Sequence, residues 1–592
     1  MGELYEELKR RKVVGAIAVY ALFSWVTLQV VDVAADPLDI PLWVPRALII
    51  AALIGFPVVA CISWFFDFTR SGLVLSSAGA EDSRKSIGVS SLSILTLSVL
   101  IIAVFVSRQW ETPAILPPEM ESGVALLSDD SETSASANSI AVLPFVDMSV
   151  NMDQEYMSDG IAEEMLNLLA KIPALRVTAR TSAFSFKGKD ITIPEIGRQL
   201  NVAHVLEGSV RTAGNQIRIT AQLIEVSTDI HLWSETYTRE LVDIFAIQDE
   251  ISAEVVRNLE LRLSGDIAVE REIPFEAYSL FLQAKYLLNQ GTYESSKQAA
   301  ELYEQVLTTV PDYAPALTAL KFVWASSELI AESDLDDQFE WINRALDSDP
   351  DYAPALAALG ELELVQGNLS DAARHISRAL TLDAANEDVL LAATLMYEAT
   401  GRSSVNISEY ILRRDPVNPS SYLGLSFSKL NDGRYDDTIA HARAALVLSP
   451  DIVGAHWYIS AAYFLKEDFQ AALEEIEQEP LEYYRATMSV AIYHALGEQA
   501  ASDEFLRELI ENYADSIPFF IAMATTLRGE IDLAFEYLDK SIDVNSPGLW
   551  GALTNPALTT LHADPRWPAF LDKAGMSPEI LDAIVFDVSL PE

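Results

Sequence analysis

The rhythm of apolar and polar positions changes three times along this chain. Three long, nearly uncharged apolar segments come first, at about 13–33, 46–66 and 87–107, each long enough to cross the hydrocarbon core of a bilayer as a helix. Residues 108–138 then lose all periodicity. This stretch is rich in Pro, Ser, Thr and acid, too poor in apolar residues to order itself, and predicts a disordered linker. From Ser139 the pattern becomes that of a compact α/β unit, 139–265. A strand is predicted at Ile140–Phe145, and a helix with Ile161, Met165, Leu168, Leu169 and Ile172 on one face. A second strand follows at Leu175–Thr178 and a short helix at Pro194–Leu200. The clearest hairpin flanks Ala213-Gly214-Asn215: its second arm alternates Ile217, Ile219, Ala221 and Leu223 with Arg218, Thr220 and Gln222, so one face is core. His231–Tyr237 adds an edge strand. Ile247, Ile251, Val255 and Leu259 give a closing helix over Ile244–Leu263. From about residue 270 to 545 the period is helical throughout.

That helical region repeats itself. Pro311-Asp312-Tyr313-Ala314-Pro315-Ala316-Leu317 recurs as Pro350-Asp351-Tyr352-Ala353-Pro354-Ala355-Leu356, and looser punctuation at Asp383, Asp415-Pro416, Ser449-Pro450, Glu479-Pro480 and Asp515 continues the series. The spacing clusters around the 34-residue tetratricopeptide period, and the stretch from Ala353 resembles one complete unit. In it Gly360 admits a close second helix, Gly367 makes the turn, and Ala372, Ile376 and Ala379 form the apolar stripe of that second helix. About eight units are expected over 270–545, with 546–592 as a C-terminal cap; stacking buries a core that no single helix pair could. The two heptapeptides lie farther apart than one period, which predicts an insertion around Ser333–Gln338.

The α/β unit carries a second resemblance. Ser139-Ile140-Ala141-Val142-Leu143-Pro144-Phe145, Ser158 to Glu164, Ala179-Arg180-Thr181-Ser182, Phe184 to Lys187, Val205 to Arg211 and Leu232-Trp233-Ser234-Glu235 together resemble the bacterial TolB N-terminal-like domain, related to FlgO. Leu561-His562-Ala563-Asp564-Pro565-Arg566-Trp567 resembles the closing segment of tetratricopeptide proteins with such a domain. The resemblance implies a membrane-tethered, extracytoplasmic interaction protein, akin to fusions with cyclase, kinase or DNA-binding modules. It supplies no catalytic residues. The fold class expected is multi-domain: N-terminal transmembrane helices, an α/β domain and an all-α solenoid.

Charge orients and restricts this picture. Lys9, Arg10, Arg11 and Lys12 precede the first apolar segment and Arg70, Arg84 and Lys85 lie between the second and third, which predicts a cytoplasmic N-terminus at 1–12, a multi-pass inner-membrane anchor and a large periplasmic C-terminal region. The sole cysteine, Cys61, falls inside an apolar segment, so disulfides play no part. The net charge is −47, and from Arg271 onward 20 Lys/Arg face 52 Asp/Glu, a net of −32 on the helical region. Such a surface argues against nucleic acid, whose binding rests on neutralising phosphates, and favours basic or amphipathic protein or peptide partners.

Candidate chemistry is sparse. No nucleotide-binding glycine loop, zinc-protease signature or nucleophile elbow occurs, and the seven histidines are scattered. The acidic groups Asp334, Asp336, Asp337 and Glu340, and Glu474, Glu475, Glu477 and Glu479, are expected as solvated positions rather than paired catalytic acids. No catalytic residue, cofactor or metal is therefore assigned, and no enzymatic activity is expected. First helices of such units line the concave face, so Tyr422, Leu423, Phe427, Trp457, Phe464, Tyr484 and His494 are the candidates for a partner-binding groove. Two functions fit: an interaction scaffold, or a signalling receptor that passes an envelope signal across the membrane.

Overall fold

The structure, a computed structural model, describes residues 135–149, 154–172, 174–259, 273–290, 292–325, 335–546 and 548–590, together with one short hairpin near the N-terminus. That hairpin pairs β1 (Phe66–Thr69) with β2 (Gly72–Leu75) in antiparallel register and belongs to a unit, 1–115, separate from the rest. Every other described residue belongs to the second unit, 116–592.

One expectation is corrected at once. Among the described residues no helix is long and apolar enough to cross a membrane. The physical reason is length and polarity: a 17-residue helix, Tyr293–Thr309, spans only about 26 Å at 1.5 Å per residue and carries Glu and Lys along its surface. The multi-pass, inner-membrane and periplasmic placement is accordingly withdrawn. The three apolar segments on which it stood lie outside the described residues, except that Phe66 opens a strand, and so do the N-terminal stretch 1–12 and most of the linker 108–138.

The α/β unit is built on a sheet ordered β5-β3-β6-β7-β8. Its strands are β3 (Ser139–Val142), β4 (Val146–Asp147), β5 (Arg176–Val177), β6 (His204–Ala213), β7 (Gln216–Glu225) and β8 (Ile230–Glu240). Strand β3 lies parallel to β5 and β6, and β4 also runs parallel to β6. Strands β6, β7 and β8 form an antiparallel meander, with Gly214-Asn215 as the two-residue turn between the first pair and an irregularity at Leu223/Ile224 between the second. Helix α1 (Glu155–Ala170) begins six residues before Ile161, and α2 (Arg180–Phe184), α3 (Ile193–Gln199) and α4 (Ile244–Asn258) complete the unit. Period-two alternation sorts the strand residues onto two faces. Ile140, Leu206, Ile219 and Leu223 pack under Ile161 and Met165 of α1 and Ile251 of α4, whereas Ala141, Leu143 and Val205 pack against Phe186, Ile196 and Leu200.

Eight helix pairs follow among the described residues. They are α5 (Phe275–Leu288) with α6 (Tyr293–Thr309), α7 (Ala314–Ala325) with α8 (Leu335–Ser348), α9 (Ala353–Val365) with α10 (Leu369–Asp383), and α11 (Glu387–Ala399) with α12 (Val405–Arg414). The array continues with α13 (Pro419–Asn431) and α14 (Tyr435–Leu448), α15 (Ala455–Leu465) and α16 (Phe469–Ile476), α17 (Glu482–Ala495) and α18 (Gln499–Tyr513), and α19 (Pro518–Arg528) and α20 (Ile531–Asp543). First helices stack on one another from α7 through α9 to α11 and from α13 through α15 and α17 to α19, and one apolar core runs from Ala353 to Phe586. A Cβ on Gly360 would lie 2.4 Å from Ile376, so only glycine permits this approach of α10 to α9. Of the insertion expected around Ser333–Gln338, Leu335–Gln338 form the first turn of α8, and 333–334 lie outside the described residues.

The last residues do not simply cap the end. A turn of 3₁₀ helix at Leu549–Leu553, another at Pro556–Ala563, then α21 (Trp567–Lys573) and α22 (Pro578–Ala583) run back along the array. Lys573 pairs with Asp539 of α20 at 2.8 Å, while two residues later Gly575 lies against the carbonyl of Gly367 at the α9–α10 turn. Both glycines have positive φ, and a Cβ on Gly575 would sit 2.5 Å from that oxygen. The eighth helix pair is thereby clasped to the third.

Candidate functional site

First helices of successive pairs carry an aromatic ladder. Phe427 of α13 meets Tyr458 of α15 at 6.3 Å between ring centroids, Trp457 meets Tyr484 of α17 at 5.6 Å, and Tyr484 meets Phe520 of α19 at 5.5 Å. Tyr483 closes the set edge-on against Phe520 at 5.3 Å. Rings at these separations and tilts gain stacking energy beyond burial. Burial raises the phenols of Tyr458 and Tyr484 well above their ordinary range, so both remain O–H groups.

The seven groove candidates fall in different environments. Tyr422 is buried and donates through its hydroxyl to the Pro416 carbonyl at 3.1 Å; Leu423 is half-buried beside it. Trp457 is buried on the ladder, with its Nε1–H lacking an acceptor among the described residues. Phe427, Phe464 and Tyr484 are half-buried, and His494 is exposed, bonded through Nδ1 to Gln499 at 3.1 Å. Three of the seven, Phe427, Trp457 and Tyr484, come together on the ladder. Sequence spacing missed Tyr458, Tyr483 and Phe520, whose signal was present as Trp457-Tyr458, Tyr483-Tyr484 and Phe519-Phe520 doublets at the starts of successive first helices.

Below the ladder the groove is already occupied. Asn555 and Pro556 close a cavity of only about 20 Å³ against Trp457, Phe464, Met488 and Met523, room for one water and no ligand. Thr554 donates to the Glu398 carboxylate, which also accepts from Asn431 at 2.8 Å and from Ser404 at 2.5 Å. Burial raises the Glu398 carboxyl despite these three donors.

A third surface joins the α/β unit to the solenoid. The Arg414-Asp415 turn between α12 and α13 inserts at the start of α2: the Arg414 carbonyl accepts from the Ala179 amide at 2.7 Å, and the buried Asp415 carboxylate accepts from the Ser182 amide at 2.8 Å and from the Thr181 hydroxyl. The Val417 amide donates to the Ser182 hydroxyl at 3.0 Å, and Arg414 donates to the Val177 carbonyl. Helix α2 has no cap from its own preceding residue, so Asp415 caps it from another domain. Beside this latch, Glu387 reaches water yet sits deep among protein atoms; desolvation, then Asp415 and Asp388, push its carboxyl up to about 7. Desolvation and Glu361 push Asp388 up to about 6 against Lys321 and Lys285. Burial alone would raise Glu163 of α1, but Lys285 of α5 at 2.8 Å and Arg180 of α2 at 2.9 Å outweigh it and hold the carboxyl below its ordinary value.

Not every acid expected on the surface is there. Asp336, Asp337, Glu340, Glu474 and Glu477 are exposed, but Glu475 pairs with His456 at 2.9 Å, and Glu479 is 1% exposed. Its carboxylate accepts from the amides of Gly454, Trp457 and Leu481 at 3.1 to 3.3 Å, capping α15. Asp334 lies outside the described residues.

Residues 136–254 match the family model of the second domain of HilA/YgeH-like transcriptional regulators, which takes the place of the expected TolB-like assignment; residues 340–388 match a tetratricopeptide repeat model. The putative adenylate cyclase 3 of Rhizobium meliloti (strain 1021) is 42% identical over 189 residues, 31% of this chain and 32% of that protein, so the chain spans about a third of this relative's length. Among solved structures, a tetratricopeptide repeat protein from Parabacteroides merdae is 14% identical, with 44% of this chain and all of that chain covered at a TM-score of 0.32. The Cut9–Hcn1 hetero-tetramer of the APC/C is 15% identical, with 53% and 63% covered at 0.35.

Proposed function

We propose that this chain is a protein-interaction scaffold of a regulatory system, in which the solenoid takes an extended or helical protein segment and the α/β unit fixes the solenoid's position. The aromatic ladder across α13, α15, α17 and α19 is the observation that carries this reading. Rigid aromatics in a row on the inner helices supply large contact area at small entropic cost, which is where binding energy concentrates. The acidic character of the solenoid, −32 from Arg271 onward, selects a partner with basic flanks. Tetratricopeptide arrays serve as protein-binding surfaces, and a match to one is found here at residues 340–388.

The regulatory context is supported by the named relatives: one is a putative adenylate cyclase and the matching α/β model comes from transcriptional regulators. On this reading the chain carries a module that such proteins join to an output domain, and no reaction is assigned to the module itself. The test is photo-crosslinking in cells from Phe427 and Tyr484. Recovery of one or a few proteins in both samples, lost in Tyr458→Ala, supports the scaffold; no enrichment over an exposed control site such as Glu511 sinks it.

A further inference from the structure

Residues 584–590 leave α22 as an extended segment and lie on the solenoid with strict alternation. Ile584 and Phe586 are buried, Val588 and Leu590 half-buried, whereas Val585, Asp587 and Ser589 face water, Val585 at 91% exposure. Such period-two seating is how a strand lies on a surface, yet here the partner is a pair of side chains. Arg402, at the α11–α12 turn, donates to the carbonyls of both Ile584, at 3.3 Å, and Phe586. Carbonyls two residues apart point to the same edge of an extended chain, so one guanidinium reads two of them. The Tyr397 ring of α11 meets Phe586 edge-on at 5.6 Å.

This is the anatomy of a peptide in a recognition groove: main-chain bonds hold the backbone, and alternate side chains select the sequence. Arg402 is indifferent to the outward residues. Those residues suit the site poorly, because Asp587, and Asp582 just before the segment, are themselves part of the excess of acid that gives the chain its net charge of −47. The occupant is matched where it touches and mismatched where it does not.

We infer that the Tyr397–Arg402 site docks an extended segment of a partner protein, apolar at alternate positions, aromatic at the position Phe586 now fills, and bearing Lys or Arg between. Residues 584–590 hold that site closed until such a segment displaces them. The inference rests on the scaffold reading and names its regulation. A tethered segment competes at an effective concentration of order mM, so an equal sequence from a second copy gains nothing, whereas outward cations gain attraction to the acidic solenoid. Opening peels about seven residues from Ala583 and leaves every helix pair intact.

The test compares the full chain with a variant ending at Ala583, using fluorescein-labelled peptides: residues 580–590 as they stand, and the same peptide with Val585→Lys and Asp587→Lys. The lysine peptide should bind the shortened variant at least about tenfold more tightly than the full chain, the expected effect of removing a tethered competitor. It should also bind more tightly than the unaltered peptide, lose that advantage in high salt, and weaken with Arg402→Ala. Equal affinity for full and shortened chains overturns the proposal, as does no binding to a shortened chain that melts cooperatively. Should the shortened chain fail to fold, Phe586→Ala in the full chain replaces it, with the same expectations. Stronger binding of the unaltered peptide, or dimers of the full chain that exchange this segment, assigns the site to a second copy and also overturns it. Equal peptide affinity for full and shortened chains with the crosslinks from Phe427 retained leaves the scaffold standing while this inference falls.

Discussion

The α/β unit meets the solenoid twice, and the two seams are made of different material. Near in sequence, α1 and α4 share one apolar core with α5, α6 and α7: Phe245 packs edge-on against Tyr278 at 4.6 Å, and Phe281 lies between Tyr303 and Tyr313. Far in sequence, more than 230 residues from α2, the latch at Arg414–Val417 consists chiefly of hydrogen bonds that involve main chain, with Val417 as its one side chain packed on the Ala141–Val205 apolar cluster. The first seam gains its stability from area removed from water, which is spread over many side chains. The second depends on direction, so a single carboxylate can hold or release it.

Predictions that separate the seams follow from this contrast. Phe281→Ala should cost about 3–5 kcal/mol through transfer and cavity terms, and because the core is shared, chemical denaturation should show both regions unfolding together. Two separate transitions would refute a common core. Asp415→Ala should cost about 2–3 kcal/mol, leaving the α2 amides uncapped. Hydrogen exchange at Ala179 and Ser182 should accelerate far more than at Tyr278; uniform acceleration would mean that the latch is no separate element.

The latch should also respond to acid. Glu387 and Asp388 have folded values of about 7 and about 6 against ordinary values of 4.5 and 3.8, so between about pH 4 and 7 the folded state binds more protons than the unfolded one. Stability contributed here is therefore highest at the acid end of that window and falls as pH rises through it. The double variant Glu387→Gln, Asp388→Asn should flatten the fall between about pH 4 and 7 in thermal melts. Smaller still, the Tyr303 hydroxyl is buried without a partner among the described residues, so Tyr303→Phe should be neutral or stabilising by up to about 1 kcal/mol. On the exposed surface Asp371→Ala, which removes a 2.9 Å pair with Arg374, should change stability by less than about 0.5 kcal/mol.

The apolar seam was partly legible in the sequence and the polar one was not. Alternation in Ile217–Leu223 announced β7, and Gly360 and Gly367 with the recurring Pro-Asp-Tyr-Ala-Pro-Ala-Leu motif announced the helix pairs, because both signals are local and periodic. Asp415-Pro416 looked like ordinary punctuation between helices. Its role as the cap of α2 arises from a contact across the fold, and nothing in a Thr-Ser-Ala stretch declares that its cap comes from elsewhere. Glu479 reads as solvated in the sequence for the same reason: an acid before proline gives no sign that helix α15 turns its amides toward it. Helical phase places Phe427, Trp457 and Tyr484 on the face that carries the ladder but does not tell Tyr422, packed inward on Pro416, from a surface residue. Residues 549–590 were legible only as a cap, since short 3₁₀ turns carry no period that shows where they lie.

The clasp formed by Lys573 and Gly575 has a consequence for how this array comes apart. A linear stack of helix pairs behaves as a row of nearest-neighbour couplings, and such a row loosens from whichever end is weakest. Here one end is welded into the α/β core and the other is tied back to the third pair, so no pair is terminal. The row has become a loop, and fraying gives way to an all-or-none transition in which any pair that opens must strain the whole circuit.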